Sequence, residues 1–490
     1  MEIYEPKPEM YELNRQKVCK KMREALGDKL KDNQWGIFKG EIFKTTSNSD
    51  NNHLFIQEPY FAYLFGCHEI TDCWGAIHYA TGKSILFIPE YPENFWSEPL
   101  DEKELQERYG PFDVHYHSQT TSYNFHVKTT SKKMTMESFL EKNDVEGMKG
   151  VNQDSGLDFE TPSLPNIAIK GSEILFNMAS DARATKNKHE LDLMRWGNKV
   201  SSMGHVALLR SAKPDIKEFV MANAFYSECA KKGNPQRFAY GPIAASGPSG
   251  AVLHYQTNNR MTKDGHIALC DFGCSYYDYT TDITTSFPIN GKFSDNQKVI
   301  YNIVLDAQKA VMNAIKPGVK WSDMHILAGK VILKGLQAAN IVLEGDVDEL
   351  YEAGVADFFF PHGLGHLLGI TTHDAGGYLK GITPDRPDTI KVNLRTSRVL
   401  EENMVITIEP GCYFNKMLIN WVKTKKDEKH VRIGTFLNMD KIEKEFIEFG
   451  GVRIEDNVVI TKDGFENFTK VPRDVDDIER VMAGGDWSFE

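Results

Sequence analysis

Asp271, Asp282, His366, Glu409 and Glu455 are four carboxylates and one imidazole in the second half of a 490-residue chain. This is the donor set of a two-metal hydrolytic site. Each sits in a short run with its own character: LCDFG, TTDITTSFP, HGLGH, ITIEPG and GVRIEDNV. Taken singly, each has an ordinary reading. An Asp beside a glycine is commonly a turn residue, a His-x-x-x-His pair is commonly structural, and a Glu near an Arg is commonly an ion pair. Their joint occurrence, in this order, favours a metal centre over five coincidences.

The elements that must position these groups are strands and a glycine-rich loop. Asp271 and Asp282 are eleven apart. An odd separation predicts directly opposed residues of a hairpin with an even-numbered loop, both facing one side. The flanks HIALCDFG and YTTDITTSF are apolar and β-branched, as strands require. Two carboxylates held side by side repel unless a cation lies between them. Pro410 and Gly411 stop the strand that ends at Glu409, and its alternation places Val405, Thr407 and Glu409 on one face, with Thr407 beside the ligand. The same period of two puts Arg453 and Glu455 on a common face. In PHGLGH, Gly363 and Gly365 are expected to let the backbone approach a ligand closely, with His362 and His366 four apart and His373 seven beyond. One imidazole among four carboxylates suits Mn, Co or Zn, and the oxygen-rich set leans to Mn.

These runs, with IKPGVKWSDMH, FPHGLGHLLGITTHDAGGY, NLRTSR and EFGGVRIEDNVVIT, resemble the pita-bread metallopeptidases, and most closely their prolidase branch. The N-terminal runs LFIQEPYFAYLFG, ATGKSILFIPEYP and GVNQDSGLDF are similar to the N-terminal domain of that branch. The resemblance implies an α/β (α+β) fold: a creatinase-type domain over 1–183, then a pita-bread catalytic domain over 184–490 with a curved, mainly antiparallel sheet. It implies two divalent ions held by Asp271, Asp282, His366, Glu409 and Glu455, activating hydroxide against dipeptides with C-terminal proline or hydroxyproline. Glu409 then also shuttles a proton, and His254, His362 and His373 line the substrate and stabilise the tetrahedral intermediate. Arg395 receives the terminal carboxylate, Arg453 reinforces the site or the proline pocket, and Tyr240 forms a wall. For Arg398 a surface ion pair is the expected role. After His254 the run YQTNNR is shorter than the corresponding loop of the resembled enzymes, which bears on side-chain preference.

Two alternatives accompany this reading. One is an aminopeptidase that removes the first residue of longer peptides with proline second, against which a carboxylate clamp at Arg395 stands. The other is a catalytically silent binding protein on the same fold, against which the complete ligand set stands. The resemblance also implies a homodimer, with the N-terminal domain as interface and Phe95 and Trp96 contributing to the neighbouring site.

Composition bounds the rest. A net charge of -12 argues against nucleic acid or anionic membrane as partner. The start MEIYEPKPEMYELNR lacks a basic stretch followed by an apolar one, and no run of about eighteen apolar residues occurs, so a cytoplasmic protein is expected. The seven cysteines, without CxxC spacing, are expected to be reduced thiols. KVCKKMREAL is expected to be helical, ATGK a hairpin turn, TTSYNFHVKTTSKKM an exposed loop, and ASDARAT a turn before a long helix from Lys186 to the Lys213-Pro214 stop. The charged segment before Glu455 is expected to be solvated helix and loop.

Overall fold

The computed structural model describes residues 2–49, 51–89, 101–117, 134–163, 167–425 and 427–489. Phe95, Trp96 and nearly all of TTSYNFHVKTTSKKM lie outside these described residues. The mixed α/β chain falls into two compact units, Glu5–Asp192 and Leu193–Glu490 together with Met1–Tyr4.

The first unit is built on a six-stranded sheet in the order Asp113–His117, Ser84–Pro89, Trp74–His78, Gln34–Lys39, Asp144–Met148, Lys170–Ser172. The ATGK segment turns an antiparallel hairpin between Trp74–His78 and Ser84–Pro89, with Gly82 at φ +74° where a side chain is strained. Alternate residues supply the core on one face: Trp35 and Ile37, Trp74 and Ala76, Ile85 and Phe87, capped by Met136 and Phe139 of the helix Met136–Lys142. The helix Pro8–Leu26 buries Met10, Asn14, Val18 and Met22, a single stripe at helical spacing.

ASDARAT is not a turn. It forms the second half of the helix Glu173–Ala184, capped by the Ser172 hydroxyl, which accepts from Leu175 N. The buried stripe Leu175, Phe176, Ala179 and Ala182 outweighs the turn preference of the single Ser and Asp. The long helix follows directly as Lys188–Ser211 and stops before Pro214.

In the second unit all strand pairings are antiparallel among the described residues. One sheet orders Ile243–Ser246, Ile267–Phe272 and Ile283–Pro288, a second Val405–Ile408, Asp456–Ile460 and Phe465–Asn467, and Gly411–Tyr413 pairs with Gly451–Arg453. A bridge between Thr284 and Glu455 links the first of these to the segment that carries Glu455. The helices Asp295–Ala314, opened by a Ser294/Gln297 capping box, and Trp321–Ala338 pack against each other. The charged segment before Glu455 forms short helical pieces, including Lys416–Thr424 and Glu428–Thr435. All seven cysteines are buried and unpaired, and no described helix is long and apolar enough to cross a membrane.

Candidate metal centre

Asp271 and Asp282 sit on one long hairpin. Its register runs Asp271↔Thr284 and Phe272↔Ile283, continues as Ser275↔Thr280 and Tyr276↔Tyr279, and closes in the two-residue turn Tyr277–Asp278. The two aspartates therefore share a face but are not directly opposed. Asp282 falls opposite Gly273, and a side chain there has no room: a Cβ on Gly273 lies 1.7 Å from Thr281 O and 3.0 Å from the Tyr240 ring. The space left empty is taken by Tyr240, whose hydroxyl lies 2.5 Å from both Asp271 Oδ1 and Asp282 Oδ1. Its single proton serves one carboxylate at a time.

The HGLGH loop is held from both sides. Trp321 Nε1 donates to Gly365 O at 3.2 Å, while His366 N donates to Thr407 Oγ1 at 3.1 Å and Thr407 N to His366 O at 2.9 Å. Both glycines line the cavity and also serve backbone packing: a Cβ on Gly365 lies 2.0 Å from Thr407 O, and one on Gly363 2.9 Å from Asn393 O. The Thr407 hydroxyl, 3.3 Å from Glu409 Oε1, ties the loop to the glutamate at the end of its strand. From the helix Asp295–Ala314, buried Gln308 reaches Ile408 O and Ile454 O, each one residue before a glutamate of the site. Gln308, Trp321 and Thr284 carry no sequence signal, because their contacts join distant segments.

All eleven predicted site residues line a single cavity of about 710 Å³. His366 Nε2 lies 3.3 Å from Asp282 Oδ2 and 3.5 Å from Glu409 Oε1. Glu455 Oε2 accepts from Thr284 Oγ1 at 2.7 Å, and Asp282, His366 and Glu455 each offer a donor atom within 4.8 Å of the others. Asp271 instead takes Arg453 Nη2 at 2.7 Å. Arg453 also donates to the Tyr413 hydroxyl at 2.8 Å, which lies 2.8 Å from His362 Nε2. Since His362 Nδ1 faces the acceptor-only Gly363 O at 2.8 Å, the ring carries its proton there and Nε2 accepts from Tyr413. The His373 ring stands edge-on to His366, with centroids 4.5 Å apart. Arg398 is buried rather than on the surface: its Nε donates to Gly376 O at 2.6 Å, while its Nη1 lies 3.7 Å from Oε1 of the exposed Glu401.

The electrostatics describe a site short of positive charge. Burial lifts Asp271 to about 6, with Arg453 opposing, and Glu409 to about 7, with His366 and Arg453 opposing. Glu455 is pushed far above the usual carboxylate range by burial and then by Asp282, Glu409 and Asp271. Burial drives His362 down to about 3 and also lowers His254 and His373. His366 gives the decisive test of fit for a metal. Its Nδ1 faces Leu367 O at 3.0 Å, which leaves Nε2 aimed at two carboxylates that without a metal repel one another and raise the pKa of the imidazole. A divalent cation among these donors turns that repulsion into coordination.

Residues 192–462 match the model of metallopeptidase family M24, and residues 11–135 that of the aminopeptidase P N-terminal domain. The chain belongs to metallopeptidase family M24. An M24 assignment implies divalent metal ions and matches the donor chemistry of the cavity. Within reach of this M24 chain are the Xaa-Pro dipeptidases of Rattus norvegicus, 36% identical over 97% of this chain and 94% of theirs, and of Homo sapiens, 36% identical over 98% and 94%. The structure of Pseudomonas aeruginosa aminopeptidase PepP superposes with a TM-score of 0.71 at 27% identity, covering 96% of this chain and 98% of that one.

Proposed function

We propose that the chain hydrolyses Xaa-Pro dipeptides and releases free proline. The observation that carries this reading is a cavity that combines a buried carboxylate and imidazole cluster with the arginine Arg395 on its wall, in a chain aligned end to end with Xaa-Pro dipeptidases. The imide before proline lacks an N–H, so peptidases that hold their substrate by that donor turn it over poorly. A dedicated site relies instead on the two charged termini of a dipeptide.

Asp282, His366 and Glu455 would hold one divalent ion, and Asp271 and Glu409 would complete a pair; the oxygen-rich donor set favours Mn over Co or Zn. When bound, such ions supply hydroxide near neutral pH and polarise the scissile carbonyl. The chain's own residues do the remaining work. Glu409 accepts a proton from the attacking water on its carboxylate and delivers it to the departing proline nitrogen. His254, His362 and His373 surround the developing oxyanion, and the Arg453–Tyr413 chain holds His362 neutral with its proton on Nδ1. Arg395 clamps the terminal carboxylate and so restricts the cavity to dipeptides. Homodimer assembly accompanies this reading from the resemblance; sizing of the purified protein tests it.

The test is hydrolysis of Gly-Pro beside Gly-Pro-containing tripeptides by protein stripped with chelator and reloaded with Mn, with Glu409→Gln as control. Metal-dependent cleavage of the dipeptide alone, lost in the variant, is the expected result. Cleavage of the tripeptides moves the assignment to an aminopeptidase.

A further inference from the structure

A third arginine lines the same cavity, and neither the metal cluster nor the carboxylate clamp uses it. Arg237 lies on the short strand Arg237–Phe238, paired to Ser275, and borders the cavity with Ala239, Thr280, Ile370 and Thr371. Its side chain is 14% exposed, yet its guanidinium is thinly served. Nη1 is 3.4 Å from Phe238 O and Nη2 is 3.7 Å from Asp278 Oδ1, both long for a group with five donors. A structural Arg–Asp pair closes to about 2.8 Å and is commonly bidentate. Here the aspartate sits in a tight turn. Tyr277 and Asp278 form the two-residue hairpin turn with both φ values positive, at +50° and +65°, a conformation that side chains of this size adopt at a cost. The result is a buried guanidinium that is half-neutralised and has donors left for the cavity.

Its position separates it from the clamp. Arg395 is a charged neighbour of both His254 and His373, whereas the charged neighbour of Arg237 is Asp278. Arg237 precedes Tyr240, which touches Asp271 and Asp282, by three residues, at most about 10 Å along the chain. That distance is within the combined reach of an arginine and of a substrate side chain whose own carbonyl lies over the cluster. A dipeptide with a neutral first residue carries one carboxylate and leaves the Arg237 guanidinium with only the distant Asp278. Aspartate or glutamate in first place supplies a second carboxylate.

We propose that Arg237 reads the side chain of the substrate's N-terminal residue and makes the site prefer acidic residues before proline. This rests on the dipeptidase reading and deepens it. Glu-Pro and Gln-Pro differ by charge at equal size, so their kcat/KM ratio isolates the effect. The wild-type enzyme favours Glu-Pro by about tenfold, the size of one partly neutralised charge pair. Arg237→Met brings the ratio near one, Arg237→Lys retains part of it, and Asp278→Asn raises it by freeing the guanidinium. A merely structural pair predicts that both substrates suffer alike, which overturns the proposal, as does a wild-type ratio of one. The wild-type and Arg237→Lys ratios decide the matter even where Arg237→Met melts early. Failure of the dipeptidase reading looks different: no Xaa-Pro dipeptide is then turned over at all.

Discussion

The two units bury charge in opposite ways. In the first, Arg15 is 1% exposed, yet its Nη1 donates to Leu64 O at 2.6 Å and its Nη2 to Pro111 O at 3.4 Å. Its guanidinium lies over the Phe65 and Phe112 rings at 5.5 and 5.7 Å. Burial lowers its pKa to about 10, which leaves it charged at any physiological pH. The buried cation is served by neutral dipoles and aromatic faces of its own unit. In the second unit four carboxylates converge on one imidazole and one guanidinium, and the chain does not supply the missing positive charge. The first arrangement is complete as a fold. The second is complete only with ions, so stability and metal binding are coupled in one unit and not in the other.

The largest effect expected from this contrast is on activity. Glu409→Gln lowers kcat by on the order of 10² to 10⁴, the range of a lost general acid–base group. Glu455→Gln also removes activity, but it adds an effect that only an over-charged cluster predicts. Without metal Glu455 has to take up a proton on folding, a cost that Gln does not carry while it retains the acceptor for Thr284 Oγ1, so the metal-free variant melts at a higher temperature than wild type. A lower melting temperature for metal-free Glu455→Gln breaks the comparison. Next in size is metal removal itself. At free ion about a hundred times Kd, bound metal stabilises the fold by about 2.7 kcal/mol per site, so chelation lowers the melting transition of wild type and barely moves that of Glu455→Gln.

Arg15→Met probes the other side. It leaves the Leu64 and Pro111 carbonyls without their donor and costs about 1–3 kcal/mol in urea unfolding. That loss is the same with and without metal. A metal-dependent loss at Arg15 erases the distinction between the units.

What was legible in the sequence follows the same division between local and distant causes. The five candidate ligands could be read because each sits in a run whose turn and strand chemistry is local. Oddness of the Asp271–Asp282 separation correctly put both on one face, but direct opposition failed because the hairpin turns at Tyr277–Asp278, which sets Asp271 opposite Thr284 and Asp282 opposite Gly273. The pins of the site were not legible. Gln308 reaches backbone oxygens 100 and 146 residues away, and Trp321 one 44 residues away, and no local pattern announces such partners. ASDARAT departs from its expected turn for a related reason: its helix is set by the buried stripe it shares with the preceding residues, which composition alone does not show.

The smallest effect concerns a second unsettled group in the metal-bearing unit. His325 is 2% exposed, stacks on Phe360 with centroids 5.3 Å apart, and its buried Nδ1 has no hydrogen-bond partner. Burial alone lowers its pKa from 6.5 to about 4. A histidine whose folded pKa is depressed contributes stability that is fully present above its unfolded pKa and is lost as pH falls from about 6.5 toward about 4. Between pH 7.5 and 5.5 the loss is about 1.4 kcal/mol, since over that window the unfolded chain takes up the proton and the folded one does not. Because the cluster carboxylates also titrate when metal-free, the measurement belongs on metal-loaded protein. His325→Phe, which keeps the ring against Phe360, should flatten that part of the pH–stability curve. An unchanged slope in His325→Phe would show that the imidazole finds a proton acceptor when charged, and that this corner of the unit is as well served as Arg15 is in the other.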